Sequence, residues 1–216
     1  MKTILCYGDS NTWGFDYETQ GRFPYEVRWP NVMQKILGGG FHVIEEGLAG
    51  RTTVLDDPDD ESPEAKNGLK YLNPCIRSHF PLDLILFMLG TNDLKMKFFT
   101  SARMVAKNAE RLIEKSREEL CRWQGYKPQI LLIAPAVIGD TIEKSMFGPM
   151  FCGNRSILAS MELTDELCKT AERLSCHFLN AAQIVKPNDV DAIHLTREGH
   201  RQLGKATARK VQEIFA

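Results

Sequence analysis

Apolar residues run along the chain in two alternating rhythms. Five short runs, 3–7 ("TILCY"), 42–46 ("HVIEE"), 82–89 ("LDLILFML"), 129–135 ("QILLIAP") and 176–180 ("CHFLN"), have the length of β-strands. The run at 82–89 has almost no polar alternation, which fits a strand covered on both faces in a parallel sheet. Between the runs the period lengthens to that of a helix. Over 101–123, Met104, Val105, Ala109, Leu112, Ile113 and Leu120 share one face, and Arg111, Glu114, Lys115, Arg117 and Glu118 fall largely opposite. Similar patterns cover 28–37, 156–174 and 196–215, the last with Leu203, Ala206, Val211 and Ile214 at helical intervals. Strand then helix, repeated, predicts right-handed βαβ crossovers and an α/β fold, a three-layer α/β/α sandwich on a five-stranded parallel sheet. At 216 residues with no internal repeat, one domain over 1–216 is expected.

Composition narrows the class. Lys plus Arg (27) nearly cancels Asp plus Glu (28), so there is no basic field of the kind that draws a protein to nucleic acid. No apolar run approaches the roughly 18 residues a membrane span needs. The apolar stretch after Lys2 is shorter than the roughly 7–15 residues of a secretory signal core, so a cytoplasmic location is expected. Six cysteines, Cys6, Cys75, Cys121, Cys152, Cys168 and Cys176, show no CxxC and no ligand spacing. They are expected to be reduced thiols, with no metal and no cofactor. His42, His79, His177 and His200 have no partner spacing that suggests a metal either.

The candidate chemistry lies just past the strands. "GDSNTWG" follows the first, "GLAGRTT" the second and "GTND" the third, while "DAIHL" lies beyond the fifth. Parallel strands deliver all four clusters to one sheet edge, where open α/β sheets bind ligands. Two loops longer than connection requires, 56–68 and 137–153, are expected there too. Ser10 alone reads first as part of a helix cap. Asp191 and His194, three apart, can form a base and its orienter: a carboxylate accepting from Nδ1–H leaves Nε2 free to take a serine proton. Gly50 lets a backbone N–H approach a ligand, and Asn92 offers an amide donor, so with the Ser10 N–H three donors could face an oxyanion. Asp9 and Asp93 are expected to brace their loops, and Trp13, Arg28 and Trp29 to pack locally.

"GDSNTWG", "GLAGRTT", "GTND" and "DAIH" resemble, in order and spacing, the four sequence blocks of SGNH (GDSL) hydrolases. The likeness is closer to the short-chain arylesterase, acetyl-esterase and acyltransferase branch, and it covers nearly the whole chain. It implies the flavodoxin-like version of the sandwich. It also implies Ser10 as nucleophile, His194 as base, Asp191 as its orienting carboxylate, and an oxyanion hole of the Ser10 and Gly50 N–H groups with the Asn92 side chain. Short acetyl and aryl esters are the implied substrates, with transfer to alcohols beside hydrolysis. A homo-oligomer, often an octamer, is the implied assembly. Asn11 stands where many members have Leu, and Glu45 where many have Asn. Asn11, Trp13, Thr91 and Ile193 are the expected pocket residues. Two alternatives remain at this point: carbohydrate deacetylation of the acetylxylan type, and a non-catalytic nucleotide or phosphate binder with "GDSNTWG" at a helix N-terminus.

Overall fold

The computed structural model describes residues 1–216. In chain order come β1 (Lys2–Gly8), the single-turn α1 (Ser10–Trp13), and the two-residue strands β2 (Phe15–Asp16) and β3 (Gly21–Arg22). Next are α2 (Trp29–Leu37), β4 (Phe41–Gly47), α3 (Gly68–His79), β5 (Leu84–Met88) and α4 (Ala102–Gln124). The chain closes with β6 (Gln129–Ala134), α5 (Gly153–Arg173), β7 (His177–Asn180) and α6 (Arg197–Phe215). Five strands form one parallel sheet in the order β4-β1-β5-β6-β7, while β2 and β3 pair antiparallel outside it. That order is second, first, third, fourth, fifth along the chain, the flavodoxin-like arrangement.

Alternation along the strands divides the core into two layers. Leu5 and Tyr7 of β1, Ile85 and Phe87 of β5, and Ile130 and Leu132 of β6 face α3, α4 and α5. Their neighbours Ile4, Cys6, Leu84, Leu86, Leu131 and Ile133 face α2 and α6. Both faces are thus covered, and burying each such side chain contributes about 1.5–3 kcal/mol. The apolar run of β5 has no polar alternation for this reason.

Two features depart from the sequence pattern. Helix α3 is absent from the expected elements, because Pro74 interrupts it and Lys70, Asn73, Arg77 and Ser78 dilute its apolar face to Leu72, Cys75 and Ile76. Asn67 starts it, accepting from the Leu69 and Lys70 N–H groups at 3.0 and 3.1 Å. Met104, assigned by periodicity to the buried face of α4, is half exposed. No helix is long and apolar enough to cross a membrane, and all six cysteines are free thiols.

Candidate active site

At the carboxyl end of β1 the chain turns through Asp9 into α1. Asp9 caps that turn by accepting from the Asn11 N–H at 3.0 Å, and Ser10 becomes its first residue. The turn fits because β4 ends in Gly47 beside it: a Cβ there would stand 2.0 Å from the Trp13 backbone nitrogen. Ser10 is buried but lines a cleft of about 130 Å³. This is well below the roughly 300–1,000 Å³ of sites for drug-sized ligands.

His194 reaches Ser10 from the loop between β7 and α6. Its Nε2 lies 2.8 Å from Ser10 Oγ, and its Nδ1 lies 2.7 Å from Asp191 Oδ2. The ionised carboxylate can only accept, so the ring proton sits on Nδ1 and Nε2 is left to accept from the serine hydroxyl. Asp191 is closely held. Its Oδ1 accepts from the Ile193 and His194 N–H groups, each at 2.9 Å, and from Asn188 Nδ2 at 2.7 Å. Burial alone would raise the Asp191 carboxyl, but the His194 ring and the two N–H donors outweigh it and hold the group below its ordinary value.

Two further side chains lock the histidine loop: Asn188, which the sequence motifs do not include, and Asn11, for which a place in the pocket is expected instead. Asn188 closes it on itself, its Nδ2 also donating to His194 O at 2.8 Å and its Oδ1 accepting from the Val190 and Asp191 N–H groups. An Asn three residues before the Asp was the available signal, since Asx turns use that chemistry. Asn11 fastens the same loop to α1. Its Nδ2 donates to Ile193 O at 3.2 Å and its Oδ1 accepts from the Leu195 N–H at 3.0 Å.

Across the cleft stand the expected oxyanion donors. Gly50 lies in the loop after β4 at φ +81°, a left-handed conformation that favours glycine. That loop is anchored by Arg51, which donates to Gly8 O at 2.9 Å and to Glu46 O. Glu45 takes another part, pairing with Arg28 at 2.6 Å and Arg22 at 3.0 Å. Asn92 follows β5 and donates through Nδ2 to Arg51 O at 3.1 Å, which joins the two donor loops. Asp93 reinforces the join by accepting from the Thr53 N–H and hydroxyl. Burial pushes Asp93 up to about 7 despite those Thr53 donors, and pushes Asp9 up to about 6 despite the Asn11 N–H.

Ser10, Gly50, Asn92, Ile193 and His194 all line the cleft. The other expected pocket residues do not. Asn11 points into the histidine loop, Trp13 stacks on the Arg22 guanidinium at 5.1 Å, and Thr91 is buried in the turn before Asn92. The apolar wall is instead Phe15, Phe147 and Phe151, with Phe15 4.3 Å from the His194 ring centroid. Phe147 and Phe151 come from the long loop at 137–153, which the sequence places at this edge without singling them out. Outside the residues that line the cleft, His79 meets Glu46 directly at 2.9 Å, and Cys75 lies close by, a grouping of ligand-type atoms within 4.8 Å of one another that chain spacing conceals.

A hydroxyl hydrogen-bonded to a carboxylate-held imidazole, facing amide donors, is the apparatus of acyl transfer. Fold and site together therefore define a serine hydrolase. Within that class the chain belongs to the GDSL-like lipase/acylhydrolase family, whose model matches residues 6–202. Among solved structures it is similar to Est24, a carbohydrate acetylesterase from Sinorhizobium meliloti, at 36% identity over 99% of this chain and 100% of that one, with TM-score 0.91. The M. smegmatis aryl esterase is 35% identical over 99% of each chain, with TM-score 0.90. An acetylxylan esterase of Xylanibacter ruminicola is 23% identical across 97% of this chain, which spans 43% of that protein's length.

Proposed function

We propose that the chain hydrolyses short-chain acetyl and aryl esters through an acyl-serine intermediate. The observation that carries this is the unbroken path Asp191–His194–Ser10, at 2.7 and 2.8 Å, opening on a cleft of about 130 Å³. Ser10 Oγ attacks the ester carbonyl as its proton passes to His194 Nε2. The carbonyl oxygen, now an oxyanion, is met by the Ser10 and Gly50 N–H groups and by Asn92 Nδ2. The ester C–O bond then breaks, and His194 gives its proton to the departing alkoxide. Water repeats the sequence on the acyl-serine and releases the carboxylic acid. An alcohol in place of water would give a new ester, and the phenylalanine wall favours such a guest. The names of two relatives support acetylated carbohydrate as a second substrate reading, with the same chemistry. Hydrolysis of p-nitrophenyl acetate, and a stoichiometric fluorophosphonate adduct, are expected from the protein and not from Ser10→Ala; absence of both from the unaltered protein defeats the proposal.

A homo-oligomer suits the large apolar side chains that the chain leaves exposed. Phe99 is 96% exposed at φ +46°, and Met96, Met104, Met146 and Met150 are also exposed. Covering these side chains between copies would remove apolar area from water. Light scattering should give a mass above that of one chain, and a monomer at micromolar concentration removes this part of the proposal.

A further inference from the structure

One cation in the cleft takes no part in the chemistry above. Lys95 lies three residues beyond Asn92 in the turn that follows β5, with its N–H donating to Asn92 O at 3.2 Å. It lines the same cleft as Ser10, Gly50 and His194. It also lines a neighbouring cleft of about 160 Å³, together with Met96, Phe99 and Arg155, so the side chain stands between the two spaces.

The acidic loop nearby does not neutralise it. Lys66 takes Asp60 at 2.6 Å and Asp57 at 3.6 Å, Lys97 takes Asp57 and, at 3.0 Å, Asp59, and Lys70 takes Asp56 and Glu64 at 2.9 and 2.8 Å. Asp57 and Asp9 act on Lys95 only through space, and no side-chain hydrogen bond or ion pair reaches its ammonium. Burial lowers its pKa, and the like charge of Lys97 adds to that. The Lys66 chain sits over the other rim, its Cε 3.1 Å from where a Gly50 Cβ would stand. Lys66 is already paired, so Lys95 is the cation left without a partner in a cleft whose apolar wall is aromatic. A half-buried ammonium without a counter-ion is placed to make a charge-assisted hydrogen bond to an anion carried by a ligand.

We propose that Lys95 is a specificity residue that receives a carboxylate carried by the ester, so that the substrates include anionic esters. The inference rests on the esterase reading and refines it. A carboxylate attached through the acyl chain or through the alcohol could reach this ammonium, which stands at the junction of the clefts. Arg155 offers a second cation farther along the adjoining one.

Two pairs of probes separate those sources. In the first pair, 3-acetoxybenzoate against phenyl acetate, the charge is on the alcohol; in the second, monomethyl succinate against methyl butyrate, it is on the acyl group. Binding is measured by calorimetry on Ser10→Ala protein, so it does not depend on turnover. At least one anionic probe should bind about 10- to 100-fold more tightly than its neutral partner, the range of one hydrogen bond to a charged group. That preference should vanish in Ser10→Ala/Lys95→Met and largely survive in Ser10→Ala/Lys95→Arg. The pair that shows it identifies which half of the ester carries the charge. Equal binding within both pairs, or a preference that persists in the Lys95→Met protein, overturns the assignment. Phenyl acetate turnover by the unaltered protein is read separately, so failure of the esterase reading and failure of the Lys95 assignment leave different results.

Discussion

Asn11 shows how adjacency in sequence misleads about a site. It follows the serine, so a place in the acyl pocket is the natural expectation. Neighbouring residues of a helical turn do not face the same way, however. Once Ser10 opens on the cleft, the Asn11 amide is directed to the backbone on both sides of His194, at 3.2 and 3.0 Å. Asn11→Leu keeps the volume but leaves the Ile193 carbonyl and the Leu195 N–H unpaired, which should cost about 1–3 kcal/mol. It also frees His194 from α1. We expect kcat on p-nitrophenyl acetate to fall roughly 10- to 100-fold, as small misplacements of catalytic groups do. KM should stay within about twofold, because Asn11 is outside the cleft. Steady-state kinetics beside a urea melt checks both, and a KM effect larger than the kcat effect would return Asn11 to the pocket.

At the scale of elements, what the sequence made legible was whatever periodicity or strand order controls. All five strands of the sheet lie within two residues of the apolar runs. Where β5 begins later than its run, the reason is a side chain: Gln124 accepts from the Leu82 N–H and donates to the Leu82 carbonyl, both at 2.9 Å, which takes Leu82 out of the ladder. Parallel strands end on one side, so Ser10, Gly50 and Asn92 could be placed at one edge before any distance was known. The loop at 137–153 carries no such rule. It packs on the histidine loop, the Gly139 N–H donating to Ala192 O at 2.8 Å, and so delivers Phe147 and Phe151 to the cleft. Lys95 escaped for a related reason. Its importance lies in the carboxylates it does not meet, and those are committed by folding of the acidic loop onto Lys66, Lys70 and Lys97.

For the whole molecule, the buried titratable groups set how stability responds to pH. Asp9 and Asp93 have folded values of about 6 and about 7, raised first by burial, against about 3.9 for an aspartate in an unfolded chain. Between these values the folded protein holds protons that the unfolded chain has released. Their contribution to stability therefore falls as pH rises through that window. His200 acts in the opposite sense. Its Nδ1 accepts from the Trp29 N–H, and burial lowers it to about 3, so it stays neutral while an unfolded histidine gains a proton below about 6.5. Stability from His200 is lost as pH falls from there. Asp191, held below its ordinary value, contributes above the unfolded aspartate value and loses that contribution as pH falls through its folded one. Below about pH 6.5 the carboxyls and His200 largely oppose each other, whereas above it Asp93 is left with the steepest remaining slope. Asp93→Asn removes the ionisation and loses part of the Thr53 bonding at every pH. The melting temperature of the variant minus that of the parent should therefore become more positive from pH 5 to pH 8, whatever its sign at pH 5. A difference that stays flat over that range would mean that Asp93 ionises as an ordinary aspartate, and that the two donor loops are joined by a carboxylate rather than by a carboxylic acid.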